Sequence, residues 1–348
     1  MSRISRTSTI DGAIVNVLVT GVAGFIGSHL FKSLKEAGVD VLGIDNFSSY
    51  YSVEYKKTRL KKLGISQTKA EVIECDISKY EQLDFIMSKF KPEYVINLAA
   101  QAGVRLSLEE SSSYVLSNII GFQNIVRASV KNKVKGILYA SSSSVYGDSA
   151  PIPYKETHSG LKPNSIYGVT KLSNEMFAEI YAKSYDLRFR GLRFFTVYGP
   201  WGRPDMAYFR IAAAALGQGQ FQLFGDGSIK RDFTFIEDVT KSTIALLNDL
   251  TKKSSGFNDV INIGGNRPMD INHLIHLISK SGDSPISVQR GQESKLDLAI
   301  TSADNSYLES ILGKIEFTEL ETGIVSLMDW ARQEDVRGML KNWTNSVR

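Results

Sequence analysis

From Ile14 to Arg193 the chain alternates short apolar runs with longer stretches of helical period, and Gly, Asp or Ser stands at most junctions. The runs are IVNVLVT (14–20), VDVLGID (39–45), AEVIECD (70–76), EYVINLAA (93–100), KGILYASSS (135–143) and LRFRGLRFF (187–195). Runs apolar on both faces, separated by about 15 to 40 residues of helical pattern, predict a parallel sheet covered on both sides. From Thr196 onward Gly and Pro cluster, in VYGPWGRPDM (197–206) and LFGDGSIKRD (223–232), and short strands mix with helices. The expected fold is α/β, a doubly wound parallel sheet with a smaller C-terminal α/β lobe. Residues 1–13 read as a flexible N-terminus, 14–195 as a nucleotide-binding domain to which 235–264 return through VINIG, and 196–348 as a substrate-binding lobe.

Composition narrows the partners. With 41 Lys+Arg against 37 Asp+Glu the net charge is +4, which supplies no field to attract nucleic acid or an anionic membrane, while small acidic ligands stay open. A content of 43% hydrophobic and 22% charged residues argues against disorder, collagen-like repeats and coiled coils. The one cysteine, Cys75, can form no internal disulfide and no cysteine-based zinc site, so a reducing, cytoplasmic setting is expected. No apolar run approaches the roughly 20 residues of a membrane helix. The four histidines, His29, His158, His273 and His276, show no ligand clustering beyond the pair at 273 and 276, which reads as surface or core, and no metal is expected.

The candidate chemistry begins directly after the first run, at GVAGFIG. Gly21, Gly24 and Gly27 stand three apart before a helical pattern, a spacing that lets backbone amides and a helix N-terminus approach a pyrophosphate where a Cβ would obstruct. Alone, such a turn can be purely structural. Asp45 ends the second strand, eighteen residues beyond Gly27, where a carboxylate accepts both ribose hydroxyls and repels the extra phosphate of NADP, which points to NAD. Phe25, Ile26 and Asn46 are counted with this wall. Asp76 and Ile77 end the third strand as adenine neighbours, and Ala99, Ala100 and Gln101 end the fourth, beside the pyrophosphate and nicotinamide ribose.

The fifth run closes in ASSSSVYG (140–147), and a helix beginning near Ser165 carries Tyr167 and Lys171 in SIYGVTK. A spacing of four puts phenol and ammonium on one helical face. A phenol of pKa near 10 needs about three units of help to act as a base at neutral pH, roughly 4 kcal/mol. One unit charge about 4 Å away supplies that much and at about 6 Å only about two thirds of it, so lysine alone is marginal and lysine with an oxidised nicotinamide cation suffices.

Taken in this order, the motifs resemble those of the extended short-chain dehydrogenase/reductases, and among them the nucleotide-sugar 4-epimerases acting on UDP-uronic acids. GVAGFIG and SIYGVTK are general to that family; DNFSSYYSVEYKKTRL (45–60) and GPWGRPDMAYF (199–209) are similar to the narrower UDP-glucuronate 4-epimerases. The resemblance implies a Rossmann-type sheet and a tightly held NAD. It gives Ser142 the catalytic Ser/Thr position, Tyr167 the base position, and Lys171 the position that holds the nicotinamide ribose and lowers the phenol pKa. It further implies that hydride leaves C4 and returns to the opposite face of a 4-keto sugar. Sister dehydratases and decarboxylases carry acidic residues where this chain has Ser143 and Ser144, which cannot act as general acids near neutral pH, so elimination is disfavoured. Four serines in a row can also satisfy their own backbone in a turn.

For the sugar carboxylate the resemblance points to Thr196 and Arg203, with Arg105 as a further candidate. For the UDP part it points to Arg231 near the diphosphate and to the Phe221–Phe224 strand beside uracil, which reads equally as a plain buried strand. Asp297 falls on the family's Gly-Asp aspartate. Ser294 stands where some epimerases carry a diphosphate-binding arginine, which leaves the role of Arg290 open. Thr301 is small where residue size admits or excludes an N-acetyl group, so neutral and N-acetylated sugars remain alternatives. An NAD-binding scaffold or sensor without turnover is the non-enzyme alternative. Helices over 113–131 and 165–184 show apolar residues on more than one face, which predicts a two-fold homodimer.

Overall fold

The computed structural model describes residues 16–66, 71–103, 111–292 and 298–345. The six apolar runs become β1 (Asn16–Thr20), β2 (Asp40–Asp45), β3 (Val72–Glu74), β4 (Tyr94–Asn97), β5 (Gly136–Ser142) and β6 (Arg188–Phe194). After them come β7 (Thr196–Tyr198), β8 (Phe221–Phe224), β9 (Lys230–Phe235) and β10 (Asn258–Ile263). The large sheet is parallel throughout, in the order β10-β6-β5-β4-β1-β2-β3. Residues 1–13, read as flexible, lie outside the described residues.

The strand β10 is the segment whose VINIG pattern suggested a return to this sheet. Its register explains the attachment: Asp259 stands opposite Arg190 of β6. The fully buried Arg190 guanidinium donates from Nε and Nη2 to the two Asp259 oxygens at 2.8 Å each, and from Nη1 to Asp249 at 2.7 Å. The smaller lobe holds β11 (Pro268–Asp270) and β12 (Val288–Gly291). Here β9 lies between β11 and β7, and β12 pairs with β8.

Of the helices, α1 (Phe25–Glu36), α2 (Val53–Lys62) and α3 (Tyr80–Phe90) connect the first strands. The helix expected over 113–131 is interrupted. A single turn, α4 (Ser111–Tyr114), runs into six residues of π-helix at Val115–Ile120, and α5 (Gly121–Lys131) completes it. The wider turn carries the buried Asn118 toward the strand ends. Its Oδ1 accepts from the Gln101 backbone at 2.8 Å, and its Nδ2 donates to Gln101 O at 3.1 Å and to Thr170 Oγ1 at 3.0 Å. Such bulges recur where a site must be served.

Next, α6 (Ile166–Ser184) starts where the Ser165 hydroxyl accepts the Gly168 N–H at 3.1 Å, an N-cap the sequence places correctly. In the lobe, α7 (Ala207–Ala215) and α9 (Ile271–Lys280) follow, while α8 (Ile236–Thr251) packs against α1 and the large sheet. Among the described residues no helix is long and apolar enough to cross a membrane.

A buried polar chain ties α6 to three strands. Arg193 of β6 donates to both Glu175 oxygens of α6, at 2.9 and 2.8 Å, and to Tyr146 Oη at 2.8 Å. The Ser141 hydroxyl of β5 also bonds Glu175, and Tyr146 donates to Asn262 Oδ1 of β10 at 2.7 Å. Removing one partner of such a pair strands the other charge away from water. Glu175→Leu should therefore cost about 3–5 kcal/mol of unfolding free energy in urea titrations. Adding Arg193→Leu should give less than the sum of the two single losses; strict additivity would mean the pair does not act as a unit.

Candidate functional site

Strand order reverses between β1 and β4, and a cavity of about 900 Å³ opens beyond the carboxyl ends of the strands there. Its first wall is the glycine turn. Gly21 has φ +71°, and a Cβ on it would meet the Ala99 backbone nitrogen at 2.7 Å; one on Gly27 would meet Gly21 O at 2.2 Å. No side chain caps the N-terminus of α1 at Gly24, and no acidic residue stands in its first turn. The result is a bare, positively polarised helix end over a cradle that a Cβ would fill, which fits a dinucleotide diphosphate. Phe25 and Ile26 line the same wall.

Asp45 closes this wall in two ways at once. Its Oδ2 accepts the Ala23 N–H of the glycine turn at 2.9 Å, and its Oδ1 accepts the Phe47 N–H at 2.8 Å. The carboxyl is buried, and burial pushes its pKa up against the pull of Lys56. It thus organises the turn and retains lone pairs toward the cavity. Asn46 donates to Asp76 Oδ2 at 3.2 Å, and Asp76, Ile77, Ala99, Ala100 and Gln101 line the cavity beyond it.

At the far end of the first wall stand Ser142, Tyr167 and Lys171. Ser142 Oγ accepts the Ser144 N–H at 3.2 Å and lies 3.2 Å from Ser144 Oγ, so the serine run does satisfy its own turn while Ser142, Ser143 and Ser144 all line the cavity. Burial pushes the Tyr167 phenol up; the Arg203 cation and a hydrogen bond with Ser142 pull it down without reversing the direction. Lys171 is buried, its ammonium donates to the Ala140 carbonyl at 2.7 Å, and it stands 5.7 Å from the centre of the Tyr167 ring. Burial holds its pKa down to about 8. The chain's own groups therefore leave the phenol protonated at neutral pH.

The opposite wall comes from the lobe. Thr196, Arg203, Phe221, Phe224, Arg231 and Thr301 all line the cavity. Arg203 is engaged: Nε donates to Asp205 Oδ1 at 3.0 Å and Nη2 pairs with Oδ2, to which Tyr50 Oη also donates at 3.3 Å. Arg231 directs Nη1 to the Lys230 and Leu298 carbonyls at 2.9 and 2.6 Å. Arg290 is exposed on β12, opposite Leu223 of β8, and does not line the cavity. Arg105, Ser294 and Asp297 fall outside the described residues.

Three groups escaped the sequence reading: Asp205, Tyr50 and Asn118. Asp205 stands two residues from Arg203, a hint available in GRPDM; Tyr50 lies within the 45–60 segment without being marked there, and Asn118 carries no local signal. Among the described residues no group of three His, Cys, Asp or Glu side chains is placed to hold a metal.

The family model described as NAD dependent epimerase/dehydratase family matches residues 17–264. Over 346 residues the chain is 38% identical to UDP-glucuronate 4-epimerase 4 of Arabidopsis thaliana, covering 93% of this chain and 76% of that protein. Protein CapI of Staphylococcus aureus is 36% identical over 335 residues, covering 91% and 98%. Among solved structures, UDP-glucuronic acid 4-epimerase from Bacillus cereus in complex with UDP-glucuronic acid and NAD superposes with a TM-score of 0.82 at 33% identity, covering 91% of this chain and 99% of that one.

The buried lysine makes stability depend on pH. With its pKa at about 8 against an ordinary 10.5, the folded chain holds fewer protons at Lys171 than the unfolded chain between those values. The cost of burying the ammonium is present in full below pH 8 and fades as pH rises toward 10.5. Measured by urea unfolding in protein freed of nucleotide, the native chain should gain about 3 kcal/mol relative to Lys171→Met between pH 7 and 10.5. A difference that stays flat with pH would show that the ammonium is not desolvated.

Proposed function

The chain belongs to the NAD dependent epimerase/dehydratase family, and we propose that it is an NAD-dependent 4-epimerase that interconverts UDP-glucuronate and UDP-galacturonate. The observation that carries this reading is the placing of an arginine fork, Arg203, in the same cavity as the Ser142, Tyr167 and Lys171 set. A guanidinium matches a carboxylate in shape and charge. Similarity to UDP-glucuronate 4-epimerases over nine-tenths of the chain supports it.

In this mechanism the glycine turn and the α1 N-terminus would hold the diphosphate of NAD, Asp45 the adenosine ribose, and Lys171 the nicotinamide ribose. NAD, when bound, supplies an acceptor and then a donor for one hydride, together with a positive charge beside the phenol. Tyr167, as phenolate, takes the proton of the sugar 4-hydroxyl and returns it at the end of the cycle. Ser142 hydrogen-bonds the same oxygen and stabilises the carbonyl of the 4-keto sugar. Ser143 and Ser144 offer hydroxyls and no acid, so C5 keeps its substituent. Arg203 and Thr196 hold the carboxylate, and Arg231 with the Phe221–Phe224 strand serves the UDP end. Burial pushes the resting Tyr167 phenol up, so in this mechanism its ionisation would need a further positive charge in the cavity.

One observation favours a second reading. Asp205 already balances the charge of Arg203, so a neutral hexose leaves no buried cation unpaired. Thr301, small and lining the cavity, is compatible with an N-acetylated sugar. Incubating the protein separately with UDP-glucuronate, UDP-glucose and UDP-N-acetylglucosamine and resolving the products by chromatography decides between them; an unchanged uronate would overturn the first.

The exposed Val115, Leu116 and Ile120 of the π-helical turn beside Val169, Met176 and Ile180 of α6 support a two-fold dimer through this turn and α6. Sedimentation should give a dimer at micromolar concentration.

Tyr167→Phe should lower turnover by about 10²–10⁴-fold and leave copurified NAD in place. Arg203→Leu should lower kcat/KM for UDP-glucuronate by roughly ten- to a hundredfold, since a hydrogen bond to a charged group contributes about 1.5–3 kcal/mol. Normal turnover in the Tyr167 variant would refute the mechanism.

A further inference from the structure

Arg59 of α2 is fully buried, and no carboxylate among the described residues forms an ion pair with it. Its Nη1 donates to Ala23 O in the glycine turn at 2.6 Å and to Tyr51 Oη at 3.0 Å. Its Nε and Nη2 donate to the Trp201 and Gly202 carbonyls at 2.9 and 3.2 Å. The guanidinium carbon lies 5.7 and 4.5 Å from the centres of the Tyr51 and Tyr55 rings. A buried cation held by carbonyls, one phenol and ring faces, with no carboxylate paired to it, is an expensive way to fill space, and a leucine would fill it at lower cost.

The surroundings show what the arrangement achieves. Three successive carbonyls, those of Pro200, Trp201 and Gly202, point at groups from the nucleotide side of the cavity. His29 of α1 lies 3.0 Å from Pro200 O through Nε2, Arg59 takes Trp201 O, and Arg59 and Tyr55 share Gly202 O, the latter at 2.6 Å. Trp201 has φ +60°, a left-handed conformation that a bulky residue adopts only when its surroundings impose it. A Cβ on Gly202 would meet Tyr208 Oη at 2.2 Å, so the loop has no slack on its other side. The next residue is Arg203.

We propose that Arg59 is a positioning residue that locks the loop 200–202, and through it Arg203, to the glycine turn, so that substrate carboxylate recognition is built against the dinucleotide wall. This rests on the reading of Arg203 as the carboxylate ligand. Arg59 does not line the cavity. Its fork spans Ala23 on one side and Trp201 and Gly202 on the other, a reach that the single ammonium of lysine cannot reproduce.

The test separates carboxylate recognition from the rest of the site by comparing KM for UDP-glucuronate with the competitive Ki of UDP, which has no carboxylate. Arg59→Lys should raise that KM about tenfold, because small misplacements of a binding group are amplified in this way. The Ki of UDP should stay within about twofold, and in the Arg203→Leu background Arg59→Lys should add less than about twofold, since residues acting through one another are not additive. Parallel changes in KM and Ki, an unchanged KM, or effects that multiply in the double variant would each overturn the proposal. If Arg59→Lys does not fold, Tyr55→Phe removes only the hydroxyl on Gly202 O; about a threefold rise in KM at constant Ki supports the proposal and no rise overturns it. If Arg203→Leu alone leaves KM unchanged, the carboxylate reading fails first; if it raises KM while Arg59→Lys does not, only the present inference fails.

Discussion

Crossovers that leave β1 and β4 in opposite directions keep a crevice open at the carboxyl edge of the sheet, and every group of the site is delivered into it. The sheet is buried on both faces, so this edge is where polar side chains can be offered to a ligand without stranding backbone groups. Asp45, Asp76, Gln101 and Ser142 all stand at or just past a strand end. The lobe built on β7, β8 and β9 then closes the other side.

Electrostatics inside this frame are arranged by burial more than by simple pairing. Lys171 faces a carbonyl, Arg59 faces carbonyls and rings, and Arg203 is answered by Asp205. Tyr167 and Lys171 are both pushed toward their neutral forms by desolvation. On the proposed mechanism the Tyr167 phenol rests protonated and would need a further positive charge in the cavity to serve as the base.

Much of the architecture was legible because strands and their turns write their own pattern. The observed β1, β2, β4, β5 and β6 fall within their apolar runs, while β3 contracts to three residues. The interrupted helix at 115–120 was not legible, since its cause is the pair of bonds that Asn118 makes to Gln101, seventeen residues away. Likewise nothing local marks Arg190 as the partner of Asp259, 69 residues on, or Arg193 as that of Glu175.

The chain by itself determined the contacts that one turn of backbone can make: three glycines under a helix end, an aspartate closing a strand, a phenol and an ammonium on one face. Their geometry follows from local dihedral angles and spacing, so the residue order suffices. Only the tertiary structure decided where Lys171 sends its protons, that Asp205 and Tyr50 engage Arg203, and that Arg59 joins Ala23 to a loop 142 residues beyond itself. Those outcomes depend on which surfaces pack together and which charges lose their water in doing so, and neither quantity is defined until the chain has folded.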